Sequence, residues 1–121
     1  MKRIYLIGLL LALLTGIFTI PASADETPAV PANAVIIDVR TEAEWKEGHL
    51  EGAVLIPHER IVEGITAVAP DKKGKIYLYC RSGRRTGIAF DALKQTGYEN
   101  LVNLGTMQNA SKILKRPIVK P

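Results

Sequence analysis

Four short apolar runs, separated by stretches with a different periodicity, set the strongest limit on how this chain can fold. They are Ala34–Val39, Ala53–Ile56, Ile76–Tyr79 and Leu101–Leu104. Each is too short for an ordinary helix and is rich in β-branched, aromatic or leucine side chains, so each is predicted as a strand. Ala34–Val39 is broken only by Asp38, the pattern of a strand buried on both faces. Between the runs the pattern turns helical. Thr41 and Glu44 form a T-x-x-E capping box that opens a short helix through Glu47, with Gly48 ending it. Glu59–Val68 carries Ile61, Val62, Ile65 and Val68 at helical spacing and stops before Pro70. Thr86–Gln95 puts Ile88, Ala89, Ala92 and Leu93 on one face, and Gly97 terminates it. Met107–Leu114 reads as a last helix before a basic tail. Strands alternating with short helices predict an α/β fold, a small central parallel sheet with helices on both faces.

The N-terminus reads differently. Met1-Lys2-Arg3 precedes an apolar run from Ile4 to Ile20, followed by Pro21-Ala22-Ser23-Ala24. A basic start, an apolar middle and small residues at Ala22 and Ala24 define a secretory signal peptide over residues 1–24, cleaved after Ala24. An uncleaved anchor is the lesser reading, because the run is slightly short for a span and contains Gly8 and Gly16. Residues 25–33, with Pro28 and Pro31, read as a flexible leader, and 34–121 as a single domain. The protein is therefore expected to be exported and periplasmic, without a stable membrane anchor.

Composition excludes some functions. The net charge of +4 falls by two once Lys2 and Arg3 are removed. No basic stripe with interleaved aromatics appears, so nucleic acid is not an expected partner. The two histidines, His49 and His58, lie far from the one cysteine, and no metal-ligand spacing is present. No metal is expected.

Cys80 is that one cysteine. It ends the apolar run Ile76–Tyr79 and opens the stretch Arg81-Ser82-Gly83-Arg84-Arg85-Thr86, which leads into a predicted helix. In the oxidising compartment that export implies, a lone thiol cannot close a disulfide within its own chain. A helix N-terminus favours anions nearby, yet three arginines crowd this one. Placed there for stability alone they are mildly unfavourable; an anion held in the loop reverses the sign. Backbone N–H groups of such a turn form an anion cradle, and Gly83 supplies the positive φ it needs. The loop therefore reads as a thiolate surrounded by donors, built to receive a second anion. The plainer alternative is a small buried hydrophobe ending a strand.

Several motifs together resemble rhodanese domains. Asp38-Val39-Arg40, Glu44-Trp45, Gly48-His49-Leu50-Glu51-Gly52-Ala53 and Ile56-Pro57 are similar to the family's N-terminal motif. Cys80 to Thr86 is similar to its active-site loop, and Gly97 to Gly105 to the segment that follows. With the small size and signal peptide, the chain resembles single-domain periplasmic thiosulfate sulfurtransferases of the phage-shock-protein E type. The resemblance implies that Cys80 attacks the outer sulfur of thiosulfate, holds it as a persulfide and passes it to a thiol or cyanide, with no cofactor. It implies a donor site made of Arg81, Ser82, Gly83, Arg84, Arg85 and Thr86, in which Arg84 and Arg85 grip sulfonate oxygens; the separate roles of the three arginines stay open. Related phosphatases and arsenate reductases use C-x5-R. That position is Thr86 here, and the shorter loop favours sulfur chemistry. The chain departs from the family after Gly105, where Thr106-Met107 follows and no tryptophan appears, so the wall of the site there does not follow from the resemblance.

The remaining polar residues read as structural support. Asp38, inside an apolar strand, is expected to bond loop backbone. Arg40 and Glu44, four apart, are expected to pair, and His49 to brace a turn. Trp45, Tyr77 and Tyr79 are expected in the core, and the tail lysines in solvent. The chain is expected to act as a monomer. Two other functions stay open: a non-enzymatic persulfide carrier and, less favoured, a small-anion phosphatase or arsenate reductase.

Overall fold

The computed structural model describes residues 30–121, together with the isolated Gly16. The signal-peptide reading and the first part of the leader lie outside the described residues. Among the described residues, no helix is long and apolar enough to cross a membrane.

The four predicted strands form one parallel sheet. These are β1 (Val35–Asp38), β3 (Val54–Leu55), β4 (Ile76–Cys80) and β5 (Leu101–Thr106), in the order β3-β1-β4-β5. Helices α1 (Glu42–Glu47), α2 (Ile61–Val68, preceded by a 3₁₀ turn at His58–Arg60), α3 (Arg84–Gln95) and α4 (Met107–Leu114) connect and cover them. The sheet is an α/β core as the sequence pattern predicts.

Central strand β4 shows how the core is divided. All five of its residues are buried, and they alternate between two apolar clusters. Ile76, Leu78 and Cys80 join Ile37, Ile61, Ile65, Ala89 and Leu93 on the α2–α3 side. Tyr77 and Tyr79 join Ile36, Leu50, Leu104, Ala110 and Leu114 on the α4 side. A strand with both faces buried needs no polar alternation, which is why Ile76–Tyr79 reads as one apolar run.

The structure corrects several expectations. Val30, within the predicted leader, is buried in the α4-side cluster, so packing begins before the first strand. Val62 and Ile88 face solvent at 46% and 43% exposure, although helical spacing groups them with buried neighbours. Trp45 is half-buried rather than core and stacks on His49, with ring centroids 3.5 Å apart. Helix α3 begins at Arg84, two residues before the expected start, because Gly83 takes φ 92° and caps it. Finally, β2 (His49–Leu50) and β6 (Ile118–Val119) pair antiparallel, a second sheet that the sequence pattern does not suggest.

Candidate active site

The carboxyl ends of β1, β4 and β5 converge, which is where parallel sheets place their sites. Cys80 is the last residue of β4 and is wholly buried. Residues 81–83 then turn sharply into α3. Gly83 adopts a left-handed conformation there, and its N–H donates to Cys80 Sγ at 2.9 Å. A side chain at this φ is strained, so glycine is needed for the turn.

Opposing effects act on the thiol. Burial pushes its pKa up. Hydrogen bonds from the Thr86 hydroxyl and from the backbone of Thr86, Gly83 and Ser82 pull it down, and they prevail: the pKa lies below the usual 9.0. Donors converging at a helix N-terminus favour the charged sulfur over the neutral one. The Thr86 hydroxyl has one proton to share and is placed to donate it to the Gly105 carbonyl at 3.2 Å as well, which ties the cysteine loop to the end of β5.

The three loop arginines occupy different settings. Arg85, in the first turn of α3, forms a two-pronged bond to Glu44 of α1, with Nη1–Oε1 at 2.6 Å and Nη2–Oε2 at 2.8 Å. Both side chains are mostly buried, at 19% and 17% exposure. The Arg85 guanidinium, helped by Thr41, holds the Glu44 carboxyl at about 2 despite its burial. Glu44 closes the capping box of α1 as well, so one carboxylate joins two helices. Arg81 and Arg84 are exposed, and neither has an ion-pair partner among the described residues.

Arg40 does not pair with Glu44 as its spacing suggests. Its guanidinium instead binds Asp38 through Nε at 2.9 Å and Nη2 at 2.7 Å, and donates to the Gly48 carbonyl at 2.6 Å. Asp38 is wholly buried and accepts from the Arg40 backbone N–H too. This pair fixes the turn after β1. His49 braces the next turn, with Nδ1 3.0 Å from the Trp45 carbonyl. The Tyr79 hydroxyl accepts from Leu50 N–H at 2.9 Å, and burial pushes its pKa up.

A pocket of about 220 Å³ opens beside Arg81. Its walls include Arg40, Glu44, Glu47, Met107, Gln108 and Ile118. Met107 directly follows Thr106, the β5 residue registered opposite Cys80, so the pocket adjoins the cysteine loop. The sequence pattern singled out none of Glu47, Gln108 or Ile118 for this region, and Met107 only as part of the departure after Gly105. The usable signal for Met107 and Gln108 was their place just past a strand's carboxyl end.

The fold and the cysteine loop define a class. Residues 24–106 match the Rhodanese-like domain family, and the chain belongs to that family. It is 34% identical over 73 residues to the thiosulfate sulfurtransferase PspE of Escherichia coli K12, covering 60% of this chain and 70% of that one. A solved rhodanese with anions from E. coli superposes with a TM-score of 0.66 at 32% identity, covering 73% of this chain and 99% of that chain. The putative sulfur carrier protein YrkF of Bacillus subtilis is 30% identical over 69 residues, covering 57% of this chain and 36% of that protein.

Proposed function

We propose that this protein is a sulfurtransferase that carries the outer sulfur of an anionic donor such as thiosulfate, as a Cys80 persulfide, to a thiol or cyanide acceptor. The observation that carries this reading is the Cys80 sulfur, lowered in pKa and held by Gly83 N–H at the start of α3. Similarity to PspE, a thiosulfate sulfurtransferase, supports the choice of donor.

The chemistry balances in two displacements. Cys80 thiolate attacks the outer sulfur of thiosulfate; the S–S bond breaks, and its electron pair leaves with sulfite. The acceptor, as thiolate or cyanide, then attacks the outer sulfur of the persulfide. Cys80 departs as thiolate, and the product is a new persulfide or thiocyanate. No external oxidant or reductant enters either step. Backbone donors at Ser82, Gly83 and Thr86 stabilise the anion on sulfur in both states. Arg81 and Arg84, exposed and without an ion-pair partner among the described residues, draw in the donor's sulfonate oxygens. Arg85, bound to Glu44, braces the loop, and Asp38, Arg40 and His49 hold the neighbouring turns. The N-terminal pattern of Lys2, Arg3 and the following apolar run supports action in the periplasm.

Intact mass after incubation with thiosulfate tests the reading. Gain of one sulfur atom, lost again with release of thiocyanate on adding cyanide, is expected. A mass that does not change and no thiocyanate would sink it. A persulfide carrier is the second reading, favoured by the complete burial of Cys80 and the similarity to YrkF. Its mark is loading by a partner protein with negligible turnover of thiosulfate. A phosphatase reading has less support, since a buried Thr86 hydroxyl stands where C-x5-R requires a guanidinium.

A further inference from the structure

The pocket beside Arg81 has an unusual charge balance. Two arginines and two glutamates line it. Arg40 is engaged by Asp38, and Glu44 by Arg85. Among the described residues, Arg81 and Glu47 have no ion-pair or hydrogen-bond partner, and both are exposed. One charge of each sign is therefore left over in a single concavity. Met107 and Ile118 give it an apolar wall. Thiosulfate, a dianion with no apolar part, complements only half of this lining, and cyanide complements less. An occupant that satisfies all of it has one cationic group, one anionic group and a short carbon body.

We infer that this pocket holds the sulfur acceptor, and that the acceptor is a small amino-acid thiol carrying both an ammonium and a carboxylate. The inference rests on the sulfur-transfer reading above. Arg81, which lines the pocket, follows Cys80, and Met107 follows the residue registered opposite Cys80, so the pocket adjoins the cysteine loop. A thiol seated there enters the site beside the cysteine loop. Arg81 binds the carboxylate, Glu47 the ammonium, and Met107 and Ile118 pack on the methylene. The acceptor's thiolate attacks the outer persulfide sulfur, the S–S bond breaks, and Cys80 is restored as thiolate. Met107 and Ile118 lie beyond residues 24–106, so the apolar wall comes from outside the segment matched to the family, while Arg81 and Glu47 lie within it.

The test uses the Cys80 persulfide of the full chain in single turnovers followed by intact mass. Four thiols are compared: L-cysteine, cysteamine (cation only), 3-mercaptopropionate (anion only) and 2-mercaptoethanol (neutral). The half-saturating concentration of L-cysteine is expected to be about tenfold below that of 2-mercaptoethanol, about threefold for each charge at a partly exposed site. Glu47→Gln is expected to bring L-cysteine level with 3-mercaptopropionate, and Arg81→Gln to bring it level with cysteamine. The ratio to 2-mercaptoethanol within each variant removes any general effect on folding or loading. Equal half-saturation for all four thiols, or a Glu47→Gln change shared by all four, overturns the inference while leaving sulfur transfer intact. Failure to form the persulfide at all counts against the sulfur-transfer reading and takes the acceptor role with it.

Discussion

Thr86 shows how much one hydroxyl decides. Burial alone raises the Cys80 thiol, and the hydrogen bonds of the loop must outweigh that. Thr86→Val keeps the shape and removes the hydroxyl, so the thiol pKa is expected to rise. The pH dependence of alkylation by iodoacetamide measures it; an unchanged midpoint refutes the role. Glu44 is the carboxyl counterpart. Its pKa is held at about 2 against an ordinary 4.5, so its contribution to stability is complete above 4.5 and is lost as pH falls toward 2. Urea unfolding should therefore show a shallower acid loss in Glu44→Gln than in wild type across that window. Asp38→Ala leaves Arg40 buried without its partner, at an expected cost of about 3–5 kcal/mol by the same measurement. At this scale the sequence is informative where partners are near. Cys80, Gly83 and Thr86 lie within one turn, and their chemistry is visible in their order. Arg85 bonds a carboxylate 41 positions away, which no local pattern can reveal, and the nearer arginine, Arg40, is taken by Asp38.

Helix α1 is only six residues long, yet its ends are well defined. The capping box of Thr41 and Glu44 and the stop at Gly48 are written locally and appear as predicted. Helix α3 starts before its apolar pattern does, because the φ of Gly83, 92°, decides where the turn ends and the helix begins. The β2–β6 pair was invisible for another reason. Two residues between Pro117 and Lys120 carry no periodicity, and their partner is a two-residue segment on the far side of the cysteine loop. Its contribution can be measured. Truncation after Pro117 removes the rungs His49–Val119 and Leu50–Ile118 and strips Ile118 from the pocket wall. Amide hydrogen exchange is expected to speed up at residues 49–50 while β4 keeps its protection. Loss of protection in β4 as well would mean that β6 supports the whole sheet.

Across the molecule, the sheet order β3-β1-β4-β5 puts the cysteine-bearing strand inside the sheet, with helices over both faces. The alternation of apolar runs and helices made the fold class readable; the strand order is set by pairing between segments distant in the chain, not by any one segment. Leu78, at the centre of β4, is wholly buried. Leu78→Ala is expected to cost about 3–4 kcal/mol in denaturant unfolding, a large share of a small domain's stability. The ion pair between Arg85 and Glu44 has a consequence in time. It joins segments far apart in the chain, so forming it requires closing a long loop. Until the turn into α3 is formed and braced, the loop donors are not gathered around the sulfur, and Cys80 lacks the hydrogen bonds that lower its pKa. The unfolded chain thus keeps its thiol mostly protonated and slow to react. Reactivity toward an alkylating reagent, sampled during refolding, should rise together with the native contacts.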